Sequence, residues 1–159
     1  MSIDKGERVP QAQLTLMGES GPKPVDAAEL MGEGTTVLFA VPGAFTPTCS
    51  AQHLPGYIEH ADAFAARGVD RIVCMAVNDI FVMDAWGKAQ NAGEILMLGD
   101  GNGDFTRALG LELDGTGFGL GMRSQRFAMI VDDGVVTHLG VEAGPGIEVS
   151  AAEAILAHL

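Results

Sequence analysis

Two short runs, Thr35-Thr36-Val37-Leu38-Phe39-Ala40-Val41 and Arg71-Ile72-Val73-Cys74-Met75-Ala76-Val77, restrict the fold more than anything else in the chain. Each is apolar with β-branched residues. Gly34 and Pro42 bound the first, and Asn78-Asp79 ends the second. Runs of that length between turn formers read as buried strands. Residues 50–67, between them, carry Leu54, Tyr57, Ile58, Ala61 and Phe64 at helical spacing and close at Gly68. Pro55 inside that segment predicts a kink or a late start, because proline removes one helix donor and crowds the preceding turn.

The alternation continues. A helix is expected over residues 79–92, stopped by Gly93, then a strand over 95–98 and a short helix over 104–109. The segment Gly99-Asp100-Gly101-Asn102-Gly103 is too short and too acidic for a phosphate loop and reads as a turn. Residues 125–131 and 135–141 flank Asp132-Asp133-Gly134, the signature of a tight hairpin. Ser150, with Glu153 three residues on, predicts a capping box for a last helix. The order β-α-β-α-β-α-β-β-α implies an α/β fold with a mixed central sheet and helices on both faces.

At 159 residues, without repeat or linker, the chain fits one domain spanning residues 1–159. No stretch has the roughly 18–20 apolar residues that a membrane helix needs. The first twenty residues lack the layout of a secretory or organellar leader, so a cytoplasmic location is expected. A formal net charge of −12 and scattered basic residues argue against nucleic acid as a partner. The cysteines are Cys49 and Cys74, no CxxC occurs, and His53, His60, His138 and His158 form no metal-ligand pattern. The cysteine signal therefore points either to chemistry at one thiol, without metal or cofactor, or to two packed thiols.

Cys49 decides where to look. It follows Val41-Pro42-Gly43-Ala44-Phe45-Thr46-Pro47-Thr48, where a buried strand gives way to a helix. Reactive groups of open α/β sheets gather at the carboxyl ends of strands. A thiol in the first turn of a helix meets unpaired N–H groups and the positive end of the dipole, and both favour thiolate. An ordinary thiol, with a pKa of about 8.5, is only about 3% thiolate at neutral pH. A thiol at about 6 gains roughly thirtyfold in thiolate, but loses part of that gain because nucleophilicity falls with basicity. A fast reaction therefore also needs groups that bind the substrate and stabilise developing charge. Thr46 has a hydroxyl within reach of such a site. Pro42 shields it without a competing N–H, Gly43 permits a turn, and a guanidinium would supply the cation.

The segment PGAFTPTCS contains Pro-x-x-x-Thr-x-x-Cys and resembles the peroxiredoxins, specifically the type II group that includes the peroxiredoxin five subfamily. The similarity continues through CSAQHLPGY, VCMAVNDIFVMDAW, LGLELD and GMRSQRFAMIVDDGVV, nearly the whole chain. The resemblance implies a thioredoxin-like fold and reduction of hydrogen peroxide or alkyl hydroperoxides. Cys49 matches the peroxidatic cysteine, Thr46 and Pro42 its motif partners, and Arg126 the active-site arginine, with Arg123 ranked second. The oxidised sulfur, a sulfenic acid, is expected to be recycled by glutathione, glutaredoxin or thioredoxin. A homodimer using the surface around residues 80–86 is also implied.

Other readings remain open at this level. Cys74, in mid-strand, reads first as a core thiol and second as a resolving cysteine. Type II members with a separate resolving cysteine carry it before the last helix, where this chain has Gly146-Ile147-Glu148-Val149-Ser150. That favours a one-cysteine cycle. His53, four residues after Cys49, lies on the same helical side. A Cys–His pair would suit a hydrolase or acyl transferase, whereas a supporting or surface histidine suits the peroxidase. A non-catalytic thioredoxin-like binding module is the third alternative.

Overall fold

The computed structural model describes residues 2–159. Its strands β3 (Thr35–Ala40), β4 (Arg71–Ala76) and β5 (Ile95–Gly99) run parallel at the centre of a sheet. β8 (Phe127–Asp132) pairs antiparallel with β3, and β9 (Val135–Val141) with β8. The connecting turn places Asp133 and Gly134 at φ 47° and 84°. These are the left-handed conformations that a two-residue hairpin demands.

Period-two alternation sorts the central strands onto two cores. Val37, Phe39, Ile72, Cys74, Ala128 and Ile130 face one side, where they meet Tyr57, Phe64 and Trp86. Leu38, Ala40, Val73, Met75, Phe127 and Met129 face the other, with Met31, Phe105 and Leu109. The first side is covered by α2 (Leu54–Glu59), α3 (Ala61–Ala66), α4 (Ile80–Ala89) and α6 (Ala152–Leu156). The second is covered by α1 (Ala27–Leu30) and α5 (Asp104–Leu109). Helices on both faces of a mixed sheet are the expected architecture.

Four features depart from the sequence reading. An amino-terminal hairpin, β1 (Gln13–Gly18) and β2 (Gly21–Asp26), extends the sheet to seven strands in the order β2-β1-β5-β4-β3-β8-β9. Pro22 and Pro24 hide β2 from a propensity reading. They are tolerated because β2 is an edge strand, with one side free of pairing. A second small sheet pairs β6 (Glu112–Asp114) with β7 (Met122–Ser124).

The segment 50–67 is not one helix. It is a π-helical turn (Cys49–His53), then α2 and α3, broken at His60, whose φ and ψ are −98° and 9°. Pro55 lies in the first turn of α2, where its missing N–H costs nothing. Finally, Ser150 forms no capping box: Ala151 precedes α6, and the Ser150 hydroxyl donates to Glu142 instead. The Asp100 turn has its own reason, since this buried carboxylate accepts from Phe105 N, Thr106 N and the Thr106 hydroxyl to start α5.

Candidate active site

The end of β3 builds the site. After Ala40 the chain passes Pro42 and Gly43, and a Cβ at Gly43 would lie 3.1 Å from both Arg123 Nη1 and Thr46 Cγ2. Glycine admits that approach. Asn78, just beyond β4, accepts from Ala44 N at 2.9 Å. Phe45 then takes a left-handed φ of 64°, unusual for a bulky side chain and a source of local strain. Ser50 N bonds Thr46 O at 2.9 Å as the chain enters its π-helical turn. Trp86 Nε1, from α4, donates to Ser50 Oγ at 2.9 Å and ties that turn to the core.

Cys49 opens the turn and is fully buried. Arg126, in the link between β7 and β8, reaches it: Nη2 donates to Cys49 Sγ at 3.2 Å. The other arm, Nη1, donates to His53 Nδ1 at 2.8 Å. Arg126 is only 9% exposed, and among the described residues no carboxylate pairs with it. A buried cation without an anion is costly, and the Cys49 sulfur is the neighbouring group that its Nη2 arm reaches.

The tautomer of His53 follows from its neighbours. Guanidinium has no acceptor, so Nδ1 offers its lone pair to Arg126 and the proton sits on Nε2. That proton goes to Ser150 O at 3.0 Å, an oxygen that also accepts from the Tyr57 hydroxyl at 2.7 Å. Burial, reinforced by the Arg126 charge and opposed by the Ser150 carbonyl, pushes His53 down to about 4. Its imidazole is neutral at physiological pH. Both nitrogens are engaged elsewhere, so His53 cannot take a proton from Cys49, and the Cys–His hydrolase reading loses its base.

Of the sequence candidates, Cys49 and Arg126 meet directly. Pro42 lines a cleft of about 410 Å³ together with Leu113, Arg126, Glu142 and Pro145. The Thr46 hydroxyl donates to Gly43 O at 2.7 Å rather than to the sulfur, so in this state it braces the loop. Arg123, the second arginine, donates to Leu120 O at 2.8 Å and reaches Pro42 O at 3.5 Å, but makes no bond to Cys49. Cys74 stays in mid-strand, fully buried opposite Phe39 and Met97. Burial first, and the nearby Cys49 second, push its thiol well up.

Three participants escape the sequence reading. Tyr57 had a signal, since Cys49, His53 and Tyr57 recur at every fourth position. Glu142 and Ser150 had none, because they join the site through a loop whose course no local pattern encodes.

Comparison with known proteins identifies the family. A protein-family model described as Redoxin matches residues 4–156. The chain belongs to the redoxin family. Within it, the chain is a type II peroxiredoxin and thus a thiol-dependent peroxidase. It is 48% identical to peroxiredoxin-2E-2, chloroplastic, of Oryza sativa subsp. japonica, over 98% of this chain and 72% of that one. With peroxiredoxin-2B of Arabidopsis thaliana it shares 45% identity over 97% of this chain and 96% of that one. The crystal structure of reduced Prx3 in complex with hydrogen peroxide, from Vibrio vulnificus, superposes with a TM-score of 0.95 at 58% identity, covering 98% of each chain. Neighbours of this kind carry the thioredoxin-like peroxiredoxin fold.

Proposed function

We propose that Cys49 is the peroxidatic thiolate, and that Arg126 binds the peroxide and holds the charge that moves during its reduction. The contact of Arg126 Nη2 with Cys49 Sγ, from a buried guanidinium that forms no ion pair with a carboxylate among the described residues, carries this reading. The thiolate attacks one peroxide oxygen and the O–O bond breaks. The leaving oxygen takes a proton and departs as water or an alcohol. Sulfur loses two electrons and becomes a sulfenic acid, while the peroxide gains them. The guanidinium stabilises the leaving oxygen as the negative charge passes to it. Pro42 keeps competing donors away, and Thr46 holds the loop beneath.

The substrates are hydrogen peroxide and alkyl hydroperoxides. The peroxide bound by the Vibrio vulnificus relative supports the first, and the apolar walls Pro42, Leu113 and Pro145 of the cleft at Arg126 support the second. The reductant is an external thiol: glutathione, alone or through glutaredoxin, or thioredoxin. Attack of that thiol on the sulfenic acid releases water and forms a mixed disulfide, which a second thiol reduces. The placement of Cys74 supports this one-cysteine cycle. Its strand pairs on both sides, and its thiol is held protonated.

Peroxide consumption with glutathione and glutaredoxin, or with thioredoxin and its reductase, tests the cycle. Cys74→Ser is expected to sustain turnover within about twofold of the parent, and Cys49→Ser to show none above the uncatalysed background. Loss of turnover in Cys74→Ser, with a disulfide between the two cysteines in the parent, would replace the external cycle by an internal one.

A further inference from the structure

Behind Arg126 and His53 lies a second layer of hydrogen bonds that the peroxidase chemistry itself does not call upon. A single oxygen, Glu142 Oε2, accepts from Glu148 N at 2.8 Å, Ser150 N at 2.8 Å and Ser150 Oγ at 2.6 Å. These three bonds fold the segment between β9 and α6 back onto the end of β9. Glu142 N in turn donates to Arg126 O at 3.0 Å, so the two ends of the arrangement share a backbone tie. Burial pushes the Glu142 carboxyl up. The bonds from Ser150 and Glu148, with some help from His53, more than offset this and leave it below the usual range. The acceptor is therefore a carboxylate over the pH range in which the enzyme works.

We propose that Glu142 is a positioning residue for the Cys49 reaction, acting through the Ser150 carbonyl and the His53 tautomer on the orientation of Arg126. This rests on Cys49 and Arg126 being the reactive pair.

The linkage has direction at every step. Glu142 fixes Ser150, and the fixed Ser150 carbonyl accepts from His53 Nε2–H and the Tyr57 hydroxyl. With its proton held on Nε2, His53 presents a bare Nδ1 to Arg126 Nη1. A proton on Nδ1 would oppose N–H to N–H, and the guanidinium would have to turn. Its second arm would then leave Cys49 Sγ, since both bonds come from one rigid planar fork. Tyr57 cannot substitute for Glu142. Its hydroxyl donates to the same carbonyl and makes no bond to the Ser150 N–H or hydroxyl that Glu142 holds.

The experiment combines stopped-flow oxidation of reduced Cys49 by hydrogen peroxide with nitrogen-15 NMR of the His53 ring, in the parent and in Glu142→Ala and Glu142→Gln. The parent is expected to show a neutral Nε2–H ring. In Glu142→Ala oxidation is expected to slow about tenfold, within the roughly 10²-fold that a misplacement of about 1 Å can cost, and the ring to become a mixture of tautomers. Glu142→Gln keeps an oxygen that can accept all three bonds and is expected to recover most of the rate and the Nε2–H signature.

An unchanged rate in Glu142→Ala overturns the proposal, as does a slowed rate with the tautomer unaltered, which would mean a merely structural role. A parent ring protonated on Nδ1 overturns it whether or not either variant folds. A parent that reacts no faster than free cysteine overturns the peroxidase reading instead, an outcome separate from the NMR result.

Discussion

Replacing Arg126 by methionine is expected to slow oxidation of Cys49 about 10²–10³-fold, the usual effect of removing one preorganised donor from developing negative charge. Arg126→Lys is expected to fall nearly as far. The guanidinium serves two partners, Cys49 Sγ at 3.2 Å and His53 Nδ1 at 2.8 Å, from two nitrogens of a single plane. An ammonium has three donors but radiates them from a single flexible point, and it lacks the planar fork that meets both acceptors at once. Arg123 offers no substitute in place, because its Nε and Nη1 point to the Leu120 and Pro42 carbonyls and it makes no bond to Cys49. Arg126→Met is also expected to lower stability, since it leaves the buried Cys49 sulfur and His53 Nδ1 without their common partner. Stopped-flow fluorescence and a urea titration of the same samples separate the two effects. A lysine variant within threefold of the parent would show that charge alone, not the fork, serves the reaction.

Stability is expected to fall as pH drops from about 6.5 towards 4, and His53 to supply most of that fall. The unfolded imidazole takes its proton near 6.5, whereas the folded one resists until about 4. Between those values the unfolded state binds a proton that the folded state does not, so lowering the pH favours unfolding. The whole displacement corresponds to about 3 kcal/mol, and about 2 kcal/mol of it is lost by pH 5. Above 6.5 neither state is protonated and this contribution is flat.

Glu142 acts in the same sense but at lower pH, because its folded carboxyl lies below its ordinary value of 4.5. His138 is also lowered, by partial burial and then by His158 and Lys5, and it accounts for a residual slope. Urea denaturation at pH 7 and pH 5 checks this, with His53→Gln as the comparison. The variant should lose far less stability between the two pH values than the parent. Equal losses would mean that the buried ring does not titrate as its surroundings demand.

Much of this was legible in the residues. The two apolar runs gave β3 and β4 to within a residue, and Asp132-Asp133-Gly134 marked the hairpin, because those patterns are local and tertiary contacts reinforce them. Cys49, Pro42 and Thr46 were singled out by their motif and Arg126 by the family resemblance, and Cys49 and Arg126 touch. The edge strand β2 was hidden by its prolines, whose tolerance depends on which strand has no neighbour. His53 was left between a supporting and a surface role because a lone histidine carries no record of what faces its two nitrogens. Ser150 was misread for a related reason: a serine ahead of a helix is a cap unless a stronger acceptor intervenes, and Glu142 does so from β9's end.

The central claim, that Cys49 is a thiolate built to reduce peroxide, is tested most directly by mixing the reduced protein with less than one equivalent of hydrogen peroxide. The rate is followed by stopped flow, and the product by intact mass and thiol mapping. Oxidation at Cys49, at least about a thousandfold faster than free cysteine as preorganised charge stabilisation allows and absent in Cys49→Ser, is the predicted result. A rate no better than free cysteine, or first oxidation at Cys74, would contradict the account.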